Sequence, residues 1–259
     1  MTETVALPAV RYEVRDDVAF LTLDVPPVNV LRSATMHELA EAVERAQGDR
    51  TLKAVVLESA GRAFSAGADV GDHRPEEAPG MIAGFSRLFA AFGALELPMV
   101  MAVDGAALGA GFELVMMADV LLATERSTFG QPEIRIGFFA PVGVAWLPAR
   151  IGVARAIEVT STGRTYSAAE MHTMGLVSRV VAEGGLAAAL AQVLSDLRRA
   201  SPLVMRMNVR LAKSLNGRPF EEARLEAERV FLSELMATED VREGIASFFE
   251  KRRPAWKNR

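Results

Sequence analysis

The stretch Asp104-Gly-Ala-Ala-Leu-Gly-Ala-Gly-Phe-Glu-Leu-Val-Met-Met-Ala-Asp119 decides how this chain is read. It is an apolar run broken by glycine, and it puts one glutamate, Glu113, where a buried helix should begin. A carboxylate among Phe112, Leu114, Val115, Met116 and Met117 is costly to bury unless it is paired or used. Ahead of it, Leu108-Gly109-Ala110-Gly111 is small enough for a ligand to come close to the backbone. Free N–H groups at the helix start would point into the same space. Donors for a developing negative charge and an acid–base group thus sit side by side, which points to an enzyme. Taken alone, Glu113 reads first as a salt-bridged glutamate of a helix start. Catalysis is favoured once other segments join it.

Working outward, Val18 to Asp24 reads as a strand ended by Pro26-Pro27, and Ser33 as the cap of a helix through about Gln47, with Leu39 and Val43 at helical spacing. Lys53 to Glu58 is a second strand, β-branched at its centre. Gly61 to Asp69 is a small-residue turn in which Asp69 closes the turn or caps the next helix. A helix spans about Met81 to Ala94, and Leu97-Pro98 marks its exit. Met99 to Asp104 and Val120 to Thr124 are further strands, and Ser127 to Glu133 a loop. Strands and helices alternate over the first two-thirds, as in an α/β fold. After Val181 the pattern is helical. Ser201-Pro202 is a cap followed by proline at the first helical position, and Leu203, Met207, Leu211 and Leu215 lie along one face. Phe220 to Met236 is a long amphipathic helix, and Thr238 begins a last one through about Phe249. Such apolar stripes suggest packing against another subunit.

At 259 residues, half of them apolar and a quarter charged, the chain has ample length for a core. A net charge of −4 gives no reason to expect nucleic acid. With no cysteine, disulfides, zinc–thiolate sites and thiol nucleophiles are excluded. Residues 1–8 lack the features of a signal peptide, and Asp104, Glu113 and Asp119 interrupt the best candidate membrane span. The expectation is a cytoplasmic protein with no membrane contact. His37, His73 and His172 show no metal spacing, so no metal is expected, although His73 lies near a pocket segment. The methionines Met99, Met101, Met116 and Met117 read as core. Gly109-Ala-Gly111 lacks the third glycine and acidic partner of a dinucleotide fingerprint.

Two more segments join the first. Phe64-Ser65-Ala66-Gly67-Ala68-Asp69-Val70 follows a strand and turn, and Phe129-Gly-Gln-Pro-Glu133-Ile134 places a second glutamate twenty positions after Glu113. With Met171 to Val180, which contains Gly-Leu-Val, and Glu243 to Pro254 near the C-terminus, the chain resembles the crotonase superfamily, the enoyl-CoA hydratase/isomerase family. The resemblance covers nearly the whole chain. It implies an α/β fold, a crotonase-like spiral of ββα units over residues 1–200 carrying the acyl-CoA site. Residues 201–259 would then be a C-terminal helical region for oligomerisation and coenzyme A contact.

The resemblance also implies roles. The backbone N–H groups of Ala68 and Ala110 would form an oxyanion hole for the thioester carbonyl, where each donor is typically worth about 2.7–4 kcal/mol. Glu113 would orient and deprotonate the attacking water, while Glu133 exchanges the α-carbon proton. Retaining both glutamates implies hydration of an α,β-unsaturated acyl-CoA, or its reverse, as in fatty acid metabolism. Other reactions of the superfamily (isomerisation, decarboxylation, thioester hydrolysis) and a noncatalytic acyl-CoA-binding subunit stay open. Coenzyme A is part of the substrate, and no other cofactor is implied. Val28, Ala66 and Val70 would lie along it, and Phe248 and Lys251 at its nucleotide end, often from a neighbouring subunit of a homotrimer or dimer of trimers. Where many hydratases follow the second glutamate with a glycine-rich loop, this chain reads Ile136-Gly-Phe-Phe-Ala-Pro-Val-Gly-Val-Ala-Trp-Leu-Pro148. Phe138, Phe139, Val142 and Trp146 are therefore expected to reshape the acyl pocket. This segment resembles a subgroup that includes hydratases of cyclic dienoyl-CoA thioesters.

Overall fold

A computed structural model describes residues 8–259, so the first seven residues, on which most of the signal-peptide reading rests, lie outside it. The N-terminal half alternates strand and helix. Strands β1 (Val10–Arg15), β2 (Val18–Leu23) and β3 (Val30–Leu31) lead into helix α1 (Ser33–Gly48). Next come β4 (Ala54–Ser59), β5 (Gly67–Ala68), a 3₁₀ turn at Val70–His73 and α2 (Ala78–Ala94). The third unit is β6 (Met99–Val103), β7 (Ala106–Leu108), α3 (Ala110–Met116), β8 (Val120–Thr124) and β9 (Thr128–Gly130). After a 3₁₀ turn at Pro132–Ile136, α4 (Pro141–Ile151) and α5 (Val153–Thr162) precede β10 (Thr165–Ser167), α6 (Ala168–Met174) and β11 (Arg179–Val181). The remainder is helical, with α7 (Leu186–Leu197), α8 (Pro202–Leu215), α9 (Phe220–Ser233) and α10 (Glu239–Phe249).

Six strands form the main sheet in the order β1-β2-β4-β6-β8-β11. Only β1 pairs antiparallel, with β2; the other pairs are parallel. A parallel sheet must be covered on both faces, and the period-two alternation of side chains does this. Ala19, Leu21, Val55, Leu57, Met99, Met101 and Leu121 enter the main core under α1 and α2. Val18, Phe20, Ala54, Val56, Val100 and Leu122 face the other way, onto Leu190, Val193 and Leu194 of α7. Two minor sheets, β10-β9-β7 and β3-β5, lie at the carboxyl ends of the main strands' units. They position the loops that carry the site.

Most strands and helices fall where the sequence places them, within the usual shift of a residue or two. Several differ. The α1 cap position is Arg32, without a side-chain cap bond, so Ser33 is already helical. Residues 127–133 are not simply a loop, because β9 forms there by pairing with both β7 and β10. Ser201 and Thr238 do cap their helices, accepting from Val204 and Val241 N–H. The α8 stripe, however, is out of phase. Leu203, Met207, Leu211 and Leu215 are only half-buried, and the buried face is Pro202, Met205, Arg206 and Val209. Arg206 explains it, since its guanidinium donates to the carbonyls of Gln47 at 3.2 Å and Asp49 at 2.5 Å, capping the end of α1. The predicted 220–236 helix ends at Ser233 and continues as a 3₁₀ turn over Leu235–Ala237. No helix of the described residues is long and apolar enough to cross a membrane.

Candidate active site

Helix α3 carries Glu113 into the core by a tight approach. At Gly111 an added Cβ would stand 2.6 Å from the Cβ of Ser65 and 2.8 Å from its carbonyl oxygen, so only glycine lets α3 rest on the 64–68 loop. Gly109, at φ +52, turns the chain from β7 into the helix, and a Cβ there would face the Glu133 carboxylate at 3.5 Å. Ala110, the first helical residue, keeps its N–H without a backbone partner among the described residues. The facing loop is held by Asn29, 2% exposed. Its amide donates to the carbonyls of Ala60 and Ala63, and its own carbonyl accepts from Ser65 Oγ. Asp69 caps the next turn through Gly71 N–H.

These loops enclose a cavity of about 480 Å³, a size suited to a small-molecule ligand. Its lining brings together Ala66, Ala68, Val70, Ala110, Glu113, Glu133, Phe138 and Phe139, all named from sequence. Val142 and Trp146 do not line it. Residues 136–148 are not one long loop, because α4 starts at Pro141, and both side chains pack against the main core instead. The Trp146 indole donates to the Met116 carbonyl at the end of α3. Val28 lies behind the wall, its carbonyl accepting from Ala66 N–H. Phe248, near the end of α10, and Lys251, in the turn just after it, are exposed and outside the cavity.

The electrostatics single out Glu113. At 2% exposure its carboxyl is pushed up to about 7 by burial, and by the nearby Glu133, against two hydrogen bonds that favour the charged form. Those bonds come from Val142 N–H at 2.7 Å and Gly143 N–H at 2.9 Å, the first turn of α4. Glu133, in the 3₁₀ turn, is also raised by burial, offset by its own backbone N–H and by His73. The Gln131 carboxamide, 1% exposed, lies against Glu133; turned with its NH₂ toward that carboxyl, it donates to Oε2 at 3.1 Å. Two carboxyls raised above the ordinary carboxylate range by burial in one apolar cavity are equipped to pass a proton between them and a ligand.

Sequence reading missed three parts of this arrangement. Gln131 stands beside the glutamate it serves, yet an isolated Gln-Pro-Glu carries no signal of contact. The Val142 and Gly143 amides carry none at all, being backbone groups brought in by tertiary folding. His73 was placed only near the pocket. It lines the cavity, with Nδ1 at 3.0 Å from the Asp69 carbonyl and its ring 4.8 Å from that of Phe138. Among the described residues no group of three or more acidic or histidine side chains is placed to hold a metal ion.

The fold that sets these two carboxyls in one cavity is shared with enzymes of the crotonase superfamily. A family model described as enoyl-CoA hydratase/isomerase matches residues 13–259, and the chain belongs to that family. It is 36% identical over 251 residues to a probable enoyl-CoA hydratase of Mycobacterium tuberculosis, covering 93% of this chain and 95% of that protein. It is 34% identical over 239 residues to a cyclohexa-1,5-dienecarbonyl-CoA hydratase of Thauera aromatica, covering 92% of each. A solved enoyl-CoA hydratase of Mycobacterium smegmatis matches with a TM-score of 0.91 at 31% identity, covering 96% of this chain and 99% of that one.

Proposed function

We propose that the protein is an enoyl-CoA hydratase, adding water across the double bond of an α,β-unsaturated acyl-CoA or catalysing the reverse dehydration. The observation that carries this reading is the meeting of Glu113 and Glu133 in one cavity with Ala68 and Ala110. The thioester carbonyl sits between the N–H groups of Ala68 and Ala110, which stabilise the enolate-like charge on its oxygen. Glu113 orients and deprotonates the water, and Glu133 delivers the proton to the α-carbon. With both carboxyls raised by burial, the pair exchanges a single proton, and its titration belongs to the pair.

Ala66 and Val70 flank the pantetheine arm, and the Val28 segment backs the wall behind it. Phe248 and Lys251 reach the nucleotide end from a neighbouring copy in a homotrimer or a dimer of trimers. The exposure of Phe220, Phe231, Leu232, Phe248 and Phe249 supports a subunit contact built by residues 201–259, on a core of residues 1–200. The enzyme works in the cytoplasm, with coenzyme A entering only as part of the substrate. A cyclic acyl group is the favoured class. Two things support it, the name of the Thauera relative and the bulk of Phe138 and Phe139 at the acyl end. Hydration of crotonyl-CoA and of a panel of branched and cyclic enoyl-CoAs tests the reading. A Glu113→Gln, Glu133→Gln double variant with full activity refutes the mechanism.

A further inference from the structure

The apolar lining of the cavity includes Met81, Ile82 and Phe85 of α2 and Ile136, Phe138 and Phe139 of the segment after Glu133. Among the side chains lining the cavity, only Glu113, Glu133 and His73 are polar. The two glutamates are committed to the reaction. His73 is not, and a hydrocarbon acyl group packed against it would leave a half-buried ring nitrogen stripped of water without a partner.

The imidazole is fixed in place. Its Nδ1 lies 3.0 Å from the main-chain carbonyl of Asp69, and since a carbonyl only accepts, Nδ1 carries the hydrogen of that bond. In the neutral ring Nε2 is therefore an acceptor, and among the described residues no protein group bonds to it. Asp69 is itself anchored by Gly71 N–H and Arg32 Nε, and the ring packs on Phe138 with centroids 4.8 Å apart. The ring lines the same cavity as Glu133, the group that delivers the α-carbon proton in the hydratase reading.

We propose that His73 is a specificity-determining residue that accepts a hydrogen bond, through Nε2, from an alcohol group on the acyl portion of the substrate. The fixed tautomer selects a hydroxyl over a ketone, because a ketone brings no hydrogen to the bond. Little ordering cost remains for an acceptor already held on two sides. This inference rests on the hydratase reading and narrows it to hydroxylated enoyl-CoA thioesters.

The test compares trans-hexenoyl-CoA and cyclohex-1-enecarbonyl-CoA, each with its hydroxylated analogues, the hydroxyl moved one carbon at a time, and with the matching ketones. One hydroxylated isomer is expected to exceed the plain chain and its ketone in kcat/KM by about tenfold, the worth of one net hydrogen bond. His73→Phe keeps a ring against Phe138 but removes the acceptor, so the ratio between hydroxylated and plain substrate should fall to near one. His73→Gln, which restores an acceptor, should recover part of it. Equal turnover of every analogue by the unaltered enzyme overturns the inference while leaving the hydratase reading intact. So does an equal loss on all substrates in His73→Phe, which would assign the ring to the chemistry. Turnover of none of these thioesters, nor of any other enoyl-CoA, removes the hydratase reading and this inference with it.

Discussion

Glu113→Gln should make the protein inactive as a hydratase and, at neutral to alkaline pH, more stable. The amide nearly matches the carboxylate in shape, and its carbonyl oxygen can still accept from Val142 and Gly143 N–H. What disappears is the ionisation. A carboxyl raised from 4.5 to about 7 in the fold binds more protons folded than unfolded between those two pH values. Stability from this group is therefore complete below 4.5 and falls as pH rises toward 7. At about 1.4 kcal/mol for each pH unit, the whole span amounts to roughly 3 kcal/mol. Denaturant unfolding of the parent and variant at fixed protomer concentration, repeated across this pH range, isolates the effect. The stability difference, variant minus parent, should climb by up to about 3 kcal/mol and then level off. Other titrating groups largely cancel in the subtraction, and the loss of the Glu113 charge beside Glu133 only trims the amplitude. A difference that stays flat with pH would refute the claim that a buried, reluctantly ionised carboxyl sits at this position.

Three other substitutions separate chemistry from support. Gln131→Leu removes the donor to the charged Glu133, so its carboxyl rises and the alkaline limb of the pH–rate profile for hydration, where Glu133 must hold its proton, moves to higher pH; kcat should fall about tenfold with KM little changed, as expected when a charged group loses a hydrogen bond. Gly111→Ala drives a methyl into Ser65 and should cost about 1–3 kcal/mol of stability, seen in denaturant melts, together with most of the activity. Trp146→Phe should cost about 1 kcal/mol, for the bond to the Met116 carbonyl, and leave the ranking of acyl substrates unchanged in a kcat/KM panel.

The parts of the site legible in the sequence were those tied to local chemistry. Small residues at Ala66 to Ala68 and Gly109 to Gly111 announce a close approach to the backbone, and glutamates in apolar company announce a cost that function must justify. Both signals survive without knowing the fold. Illegible parts depend on phase and on long-range contact. Val142 and Trp146 look like pocket residues in a string, but α4 begins at Pro141 and turns their side chains onto the core. On α8, an arginine belongs to the buried face because carbonyls at the end of α1 await it, and no apolar stripe reports such a partner. Gln131 and His73 act through single contacts set by turns whose geometry the residue types leave open.

The first turn of α4 has two attachments. It continues the chain directly from Phe138 and Phe139, which line the cavity, and its amides hold the Glu113 carboxylate. Anyone redesigning the acyl preference by grafting residues 136–141 from a relative would thereby move the anchor of the proton-handling group. The shape of the cavity and the acidity of Glu113 are thus inherited as one parcel, and a transplanted segment needs its own α4 start to carry both across.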